Sequence, residues 1–116
     1  MDERRAEMKI SIKATNLELT PSFTAYIESK LGGLSKFVNR FDKEGAVELR
    51  LEVARTTRHH HKGSVFMAEA NVRLPGRMLR GVARAEDPRA AVDMLKDKLK
   101  VEIEKYKDRA EPRRRR

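Results

Sequence analysis

The residues most able to do chemistry in this chain are three consecutive histidines, His59–His61, within the stretch RTTRHHHKG at positions 55–63. Neutral imidazoles bind metal ions and transfer protons near neutral pH, so a metal site and a catalytic centre are both compatible with the stretch. The flanking cations Arg55, Arg58 and Lys62 fit a third alternative, a basic loop that contacts phosphate groups. The tripeptide alone does not distinguish these alternatives, so the rest of the chain has to.

The surrounding sequence favours the loop. Successive residues of an extended chain point to opposite sides, so His59 and His61 can share a direction while His60 cannot. The chain has no cysteine, and no carboxylate lies nearby to complete a zinc or catalytic set. It also has no glycine-rich phosphate loop and no nucleophile paired with a base. We therefore predict a binding protein without metal or cofactor, with a small metal-dependent enzyme centred on His59 and His61 as the minor alternative.

The charge of the chain points to a polyanionic partner. Its 116 residues include 27 Lys and Arg against 18 Asp and Glu, a net charge of +9. A surplus of that size on a small domain favours nucleic acid, with an acidic membrane surface as the second choice. No apolar run approaches the roughly 20 residues of a membrane span, and the charged start MDERRAEMKI is no secretory signal. We therefore expect no membrane partner and a cytoplasmic location.

Periodic hydrophobicity predicts the strands and helices that position these charges. Strand patterns occur in MKISIKA, AVELRLEVA, VFMAEANVRL and MLRGVARA. Helix starts are predicted at Thr20–Pro21 and at Asp87–Pro88, where a capping residue precedes a proline. The apolar stripe of the first helix continues past Gly32 and Gly33, which predicts a kink in one helix rather than two separate helices.

The order strand, helix, three strands, helix predicts an α+β fold of two layers. Because each strand has one apolar face, a four-stranded mixed or antiparallel sheet would carry two helices on one face and meet water with the other. We expect one domain over residues 8–110, a disordered lead at 1–7 and a basic disordered tail at 111–116. Small inward residues such as Gly81 and Ala83 leave room for a helix to pack closely on the last strand.

Projection of the last helix at 100° per residue separates its cations into two rows. The first row consists of Arg89, Lys96, Lys100 and Lys107. The second row, on the opposite flank, consists of Lys98, Lys105 and Arg109. The acidic residues predicted to lie between the rows, on the outermost surface, are Asp93, Asp97, Glu104 and Asp108. Further cations that we expect to join a phosphate-binding surface are Lys30, Lys36, Arg80 and Arg84.

This predicted surface suits structured RNA. Nearly every Phe and Tyr falls on a core stripe, so exposed rings that would stack on single-stranded bases are not predicted. Helical RNA recognised by its shape fits better. A general binder of structured RNA and a factor specific for one RNA assembly are both open on these grounds.

Three segments resemble the family of ribosome hibernation-promoting factors, the ribosome-associated inhibitors of bacteria. They are ISIKATNLELTPSFTAYIESKL, HHHKGSVFMAEANVRLPGRMLRG and AEDPRAAVDMLKDKLKVEIEKYKDR, within a likeness that covers roughly residues 8–109. The resemblance implies a fold similar to double-stranded RNA-binding domains. It also implies a role in idle or stressed cells: binding small-subunit rRNA in the channel between head and body, in competition with tRNA and mRNA, and blocking translation.

The resemblance assigns some of the cations by position and leaves others to the charge pattern. Those that match the family's basic helix positions are Lys30, Lys36, Lys98, Lys105, Lys107 and Arg109. The chain departs from the family at Pro88 and Arg89, where a bulky pair is usual, and at Gly33 and Val101, where a basic residue is common. Long members carry a second domain that pairs ribosomes. This chain ends at Arg116 without one, so we expect a free monomer that does not dimerise ribosomes unaided.

Overall fold

The computed structural model describes residues 8–41, 47–56 and 65–110. The predicted lead at 1–7, the predicted tail at 111–116 and the predicted histidine loop lie outside the described residues. What the sequence predicts for these stretches therefore stays a prediction.

Four strands form one mixed sheet with the spatial order β1-β2-β3-β4. Their bounds are β1 Lys9–Thr15, β2 Glu48–Arg55, β3 Phe66–Leu74 and β4 Arg77–Ala85. β1 runs parallel to β2, whereas β2–β3 and β3–β4 are antiparallel pairs. Parallel neighbours need a long crossover connection, which the helical segment after β1 supplies. The sheet is therefore mixed, one of the two arrangements that the strand patterns left open.

The two long helices begin at the positions that the capping residues Thr20 and Asp87 predicted. Their bounds are α1 Pro21–Gly32, α2 Ser35–Val38 and α3 Pro88–Ala110, with a short 3₁₀ helix at Asn39–Phe41. The amide of Phe23 donates to Thr20 Oγ at 3.1 Å, and the amide of Ala90 donates to Asp87 Oδ2 at 3.1 Å. Each cap satisfies an amide that has no partner within its helix. None of the described helices is long and apolar enough to cross a membrane.

The prediction of one kinked helix through the glycine pair is wrong. α1 ends at Gly32 and α2 begins at Ser35. The amide of Leu34 donates to the Leu31 carbonyl oxygen at 2.9 Å, a three-residue step that closes a turn instead of continuing the helix. Each of two adjacent glycines costs a helix about 1 kcal/mol relative to alanine, which explains the break. The apolar stripe does continue, because Leu31, Leu34 and Val38 are fully buried.

The helices cover one face of the sheet, and the core lies between the layers. Inward side chains of β2 and β3 and the apolar stripe of α3 are fully buried, as the patterns predicted; they include Val53, Ala68, Ala70, Val72, Leu95, Leu99 and Ile103. The closest approach is at Gly81 of β4. A Cβ at Gly81 would lie 3.1 Å from Leu95 Cδ1 and 3.1 Å from Leu99 Cδ2, so the absence of a side chain there lets α3 pack against the strand.

Replacing Gly32 by alanine is expected to raise the free energy of unfolding by about 0.4–1 kcal/mol, because the unfolded chain loses conformational freedom. A Cβ at this position meets no atom within 4 Å, and the backbone is not left-handed. Urea denaturation measures the change. Gly76→Ala is the control: Gly76 has a φ of 76° in the turn between β3 and β4, so its replacement should lower stability. A destabilised Gly32→Ala variant would contradict the prediction.

Candidate nucleic-acid interface

The first row lies on the side of α3 that faces α1 and α2. At its start, the Arg89 guanidinium lies 5.4 Å from the ring centre of Phe23 and 5.2 Å from that of Tyr26. Two turns further along, Lys96 Nζ lies against the turn that follows α1, at 3.2 Å from the position that a Cβ at Gly33 would take. These contacts place the row along the seam between the helices.

Further along α3, Lys100 and Lys107 converge on Phe37 of α2. Their Nζ atoms lie 5.2 and 5.8 Å from its ring centre, and Lys36 Nζ lies 5.3 Å from the same point. A ring attracts a cation within about 6 Å of its centre, so these contacts favour side chains that stay near Phe37. The structure thus brings Lys36 together with the first row on one surface, which we call the helix side.

Asp93 lies on this same side of α3, which corrects its predicted place between the two rows. The Tyr26 hydroxyl donates to Asp93 Oδ1 at 2.5 Å, and Lys30 Nζ lies 3.5 Å from the same oxygen. The charge of Asp93 raises the pKa of Lys30 above its ordinary value. Lys30 therefore has an acidic partner within the protein. The other predicted acidic residues of the helix are exposed: Asp97, Glu104 and Asp108.

Both tyrosines of the chain have raised pKa values. The hydrogen bond to Asp93 raises the pKa of Tyr26 above its ordinary value of 10.0, and burial and the carboxylate charge act in the same direction. Burial raises the pKa of Tyr106. Because the raised folded-state pKa favours the protonated phenol, the stability from the Tyr26–Asp93 contact is present below pH 10 and is lost as pH rises through the folded-state pKa.

Asp93→Asn is expected to move the Tyr26 pKa down toward 10, because the charged acceptor that holds the phenol proton is gone. The phenolate absorbance of the folded protein measures the change, and the signal is simple since the chain has two Tyr and no Trp. Tyr26→Phe is the control: it should remove the Tyr26 transition from the titration and leave the Tyr106 transition unchanged. An unchanged titration in Asp93→Asn would show that the carboxylate does not set the Tyr26 pKa.

The second row lies on the other flank of α3, beside β4. Lys98 Nζ donates to the Val82 carbonyl oxygen of this outer strand at 2.9 Å. Lys105 Nζ lies 3.5 Å from Glu102 Oε2, and Arg109 is exposed in the last turn of the helix. Two of the three cations in this row thus have partners within the protein.

Arg80 and Arg84 lie on the open face of the sheet, opposite the helices. Arg80 Nη2 and Nε donate to Glu69 Oε2 at 2.6 and 2.8 Å. Arg84 is exposed on the same face of β4. The sheet therefore separates these arginines from both rows of α3, and the predicted cationic surface divides between the two faces of the domain.

The aromatic rings of the helix side were missed by sequence reasoning. Tyr26 and Phe37 are only half-buried, and both contact cations of the surface. One signal was available in the pattern. Adjacent residues of a helix cannot both point at the core. Tyr26 adjoins the buried stripe residue Ile27 and Phe37 adjoins the buried Val38, so both rings lie at the edge of the apolar stripe.

His59–His61 lie outside the described residues, so neither the predicted loop nor the alternative metal site is tested. In the three ranges that the structure covers, no three His, Cys, Asp or Glu side chains are grouped to hold a metal ion. Arg55, one of the cations that flank the histidines in the sequence, does lie within the described residues. Its guanidinium is 5.8 Å from the ring centre of Phe66. This contact places Arg55, the last residue of β2, against the first residue of β3.

Comparison with known proteins gives relatives that align with most of the chain. It is 30% identical over 102 residues to the ribosome hibernation promoting factor of Klebsiella oxytoca, an alignment that covers 88% of this chain and 96% of the relative. It is 31% identical over 102 residues to the ribosome hibernation promotion factor of Picosynechococcus sp., covering 88% of this chain and 50% of that longer protein.

The fold and a family model agree with these relatives. The crystal structure of the Thermus thermophilus Protein Y N-terminal domain matches with a TM-score of 0.68 at 25% identity, covering 85% of this chain and 99% of that one. Residues 10–111 match the family model described as Sigma 54 modulation protein / S30EA ribosomal protein. The resemblance seen in the sequence is confirmed, and the chain belongs to the Sigma 54 modulation protein / S30EA ribosomal protein family.

Proposed function

We propose that this protein is a ribosome hibernation factor. It binds the rRNA of the small ribosomal subunit, occupies the channel where tRNA and mRNA would sit, and blocks translation in idle or stressed bacterial cells. It acts as a monomeric binding protein rather than as an enzyme, needs no cofactor, and is cytoplasmic because its partner is. The observation that supports the proposal is the cationic helix side, formed by Lys36 and the first row, in a chain whose relatives are named ribosome hibernation factors.

The helix side has the length and chemistry that an RNA backbone requires. From Arg89 to Lys107 the first row extends for about 27 Å along α3, at 1.5 Å per residue, which is far more than one small anion occupies. Lysine and arginine side chains neutralise phosphates and carry little information about base sequence. Such a surface suits rRNA whose folded shape, rather than its base sequence, decides where the protein binds.

Cosedimentation tests this function. The purified protein is mixed with vacant ribosomes, separated subunits and naked duplex RNA across a salt series, with tRNA as competitor. We expect saturable one-to-one binding to the small subunit that tRNA displaces, with log affinity falling by about 0.9 per phosphate contact for each unit of log salt. Binding that tRNA does not displace, or binding to duplex RNA that is as tight as binding to the subunit, would contradict the proposal.

The rival function is general binding of structured RNA. It is favoured by the predominance of lysine on the helix side, since ammonium groups contact phosphate without reading bases. The likeness to double-stranded RNA-binding domains that the resemblance implies would have the same consequence. In the cosedimentation experiment the rival predicts equal affinity for duplex RNA and for the small subunit.

A further inference from the structure

We propose that Lys36, Lys100 and Lys107 form a binding site for a single phosphate group around the ring of Phe37, and that this site is the main anchoring point of the helix side. We call it the Phe37 site. The assignment of its ligand as a backbone phosphate of RNA rests on the proposed function. The affinity of the site for phosphate groups in general does not rest on that function. The two claims are tested separately below.

The geometry brings three positive charges to one place from two elements. Lys36 belongs to α2, while Lys100 and Lys107 are two turns apart on α3. Their Nζ atoms lie 5.2–5.8 Å from the centre of the Phe37 ring. Any two of these ammonium groups are therefore at most about 11 Å apart. A phosphate would bind between them beside the ring, because the π face itself is electron-rich. Half of that separation is shorter than the Debye length of roughly 8 Å at physiological ionic strength, so salt would screen the attractions only in part.

Within residues 8–41, 47–56 and 65–110, no carboxylate forms an ion pair with any of these three ammonium groups. The ion pairs among the described residues join Lys30 to Asp93, Arg50 to Glu48, Arg80 to Glu69 and Lys105 to Glu102. None of them involves a lysine of the Phe37 site, although Glu104 lies between Lys100 and Lys107 on α3. Closely spaced like charges repel one another, so an anion that binds among them relieves an unfavourable interaction.

The opposite end of the seam differs in this respect. There Lys30 lies 3.5 Å from Asp93, and the Arg89 guanidinium donates to Ser22 Oγ at 3.0 Å. A phosphate at that end would have to compete with an existing carboxylate. The difference between the two ends implies that Lys30 contributes less to anion binding than Lys100 does. Lys30 matches a basic position of the family, whereas Lys100 was predicted from the charge pattern of the helix alone.

Phe37 has a defined part in the site. Its half-buried ring packs against the core and attracts the three ammonium groups by its π face. The ring thereby keeps flexible lysine side chains close together before the ligand arrives, which reduces the entropy lost on binding. Lysines recognise phosphate as point charges without a fixed orientation, so the site selects for charge and position and not for a particular ester.

The first test uses inorganic tripolyphosphate as the probe. Lysines of the whole protein are ¹³C-dimethylated, which keeps their positive charge, and NMR follows each resonance at constant ionic strength. We expect the signals of Lys36, Lys100 and Lys107 to shift together along one saturating curve. If the signals of all lysines instead shift in proportion to the tripolyphosphate concentration without saturating, the proposal of a site is overturned. Such a result would show a diffuse counterion effect only.

Matched variants assign the affinity to the site. Lys100→Gln is expected to weaken tripolyphosphate binding about three- to tenfold, as expected for one charge-assisted contact at an exposed position, while Lys13→Gln on the open face of the sheet leaves it unchanged. Glu104→Gln should strengthen binding because it removes a neighbouring negative charge. Phe37→Leu keeps an apolar side chain but loses the π face and should weaken binding. Equal affinity in Lys100→Gln and Lys13→Gln would overturn the proposal.

A second arm separates the site from the proposed function. The variant with Lys36→Gln, Lys100→Gln and Lys107→Gln is cosedimented with small subunits, after circular dichroism has shown that it is folded. Loss of both tripolyphosphate and subunit binding supports the RNA assignment. Loss of tripolyphosphate binding alone overturns that assignment. If the unmodified protein fails to bind subunits while tripolyphosphate still saturates the three lysines, the proposed function fails and the phosphate site stands.

Discussion

Charge reversal along the first row, by Lys96→Glu, Lys100→Glu and Lys107→Glu together, is expected to lower affinity for the small ribosomal subunit at least about a thousandfold. Each charge-assisted interaction contributes roughly 1.5–3 kcal/mol, and 1.4 kcal/mol corresponds to about tenfold. The low end of this range applies because these ammonium groups contact solvent. The slope of log affinity against log salt should also become shallower by about 0.9 for each phosphate that the variant no longer neutralises. Cosedimentation across a salt series measures both quantities.

The matched control is the corresponding triple of the second row, Lys98→Glu, Lys105→Glu and Arg109→Glu. It changes the net charge by the same amount on the same helix, so long-range repulsion from RNA is equal in the two variants. We expect a smaller loss, because Lys98 and Lys105 already have the Val82 carbonyl and Glu102 as partners. A larger loss from the second row would place the interface on the flank beside β4.

Gly81→Val is expected to lower the free energy of unfolding by about 3 kcal/mol, at the upper end of the usual cost of overpacking a core. A Cβ at this position alone would come within 3.1 Å of both Leu95 Cδ1 and Leu99 Cδ2, and valine adds two further methyl groups. Both leucines are fully buried, so any movement away from the valine has to displace other core side chains. Urea denaturation followed by circular dichroism measures the loss.

Arg84→Val on the same strand is the control for β4. Its side chain is exposed on the open face of the sheet. The substitution therefore measures the effect of placing a valine in this strand without changing the contact between the sheet and the helices. Its effect on stability should stay within about 0.5 kcal/mol, as for most surface changes. If Gly81→Val were as stable as Arg84→Val, the close approach of α3 to the strand would not limit the packing.

The two-layer architecture could be predicted because it follows from patterns that act along the chain. Alternation identified the buried residues of the strands, such as Ala68 and Val72, and the capping residues Thr20 and Asp87 identified the helix starts. The direction of β1 could not be predicted in this way, since alternation is identical in parallel and antiparallel strands. The helix break was missed because Gly32 and Gly33 lie within an unbroken apolar stripe, and the stripe does not report backbone hydrogen bonds.

The candidate site could be predicted only as a set of charges. A helical projection shows which way Asp93 or Lys98 leaves the helix axis, and it says nothing about which neighbour lies there. The contact of Asp93 with Tyr26 joins residues of two helices, and that of Lys98 with Val82 joins a helix to a strand edge. Four-carbon side chains reach several partners from one backbone position, so such contacts depend on the packed structure rather than on local sequence.

The Lys98–Val82 contact has a consequence for handling the protein. An outer strand offers unpaired backbone groups to other chains, and a lysine at its edge is a recognised protection against such pairing. Here Lys98 adds to the protection that the exposed Arg77, Arg80 and Arg84 of the same strand give, and it is also a predicted ligand of RNA. A substitution of Lys98 therefore affects colloidal behaviour and recognition at once. Light scattering of a stored sample belongs beside every binding curve measured with a Lys98 variant, because precipitation would otherwise be mistaken for weaker binding.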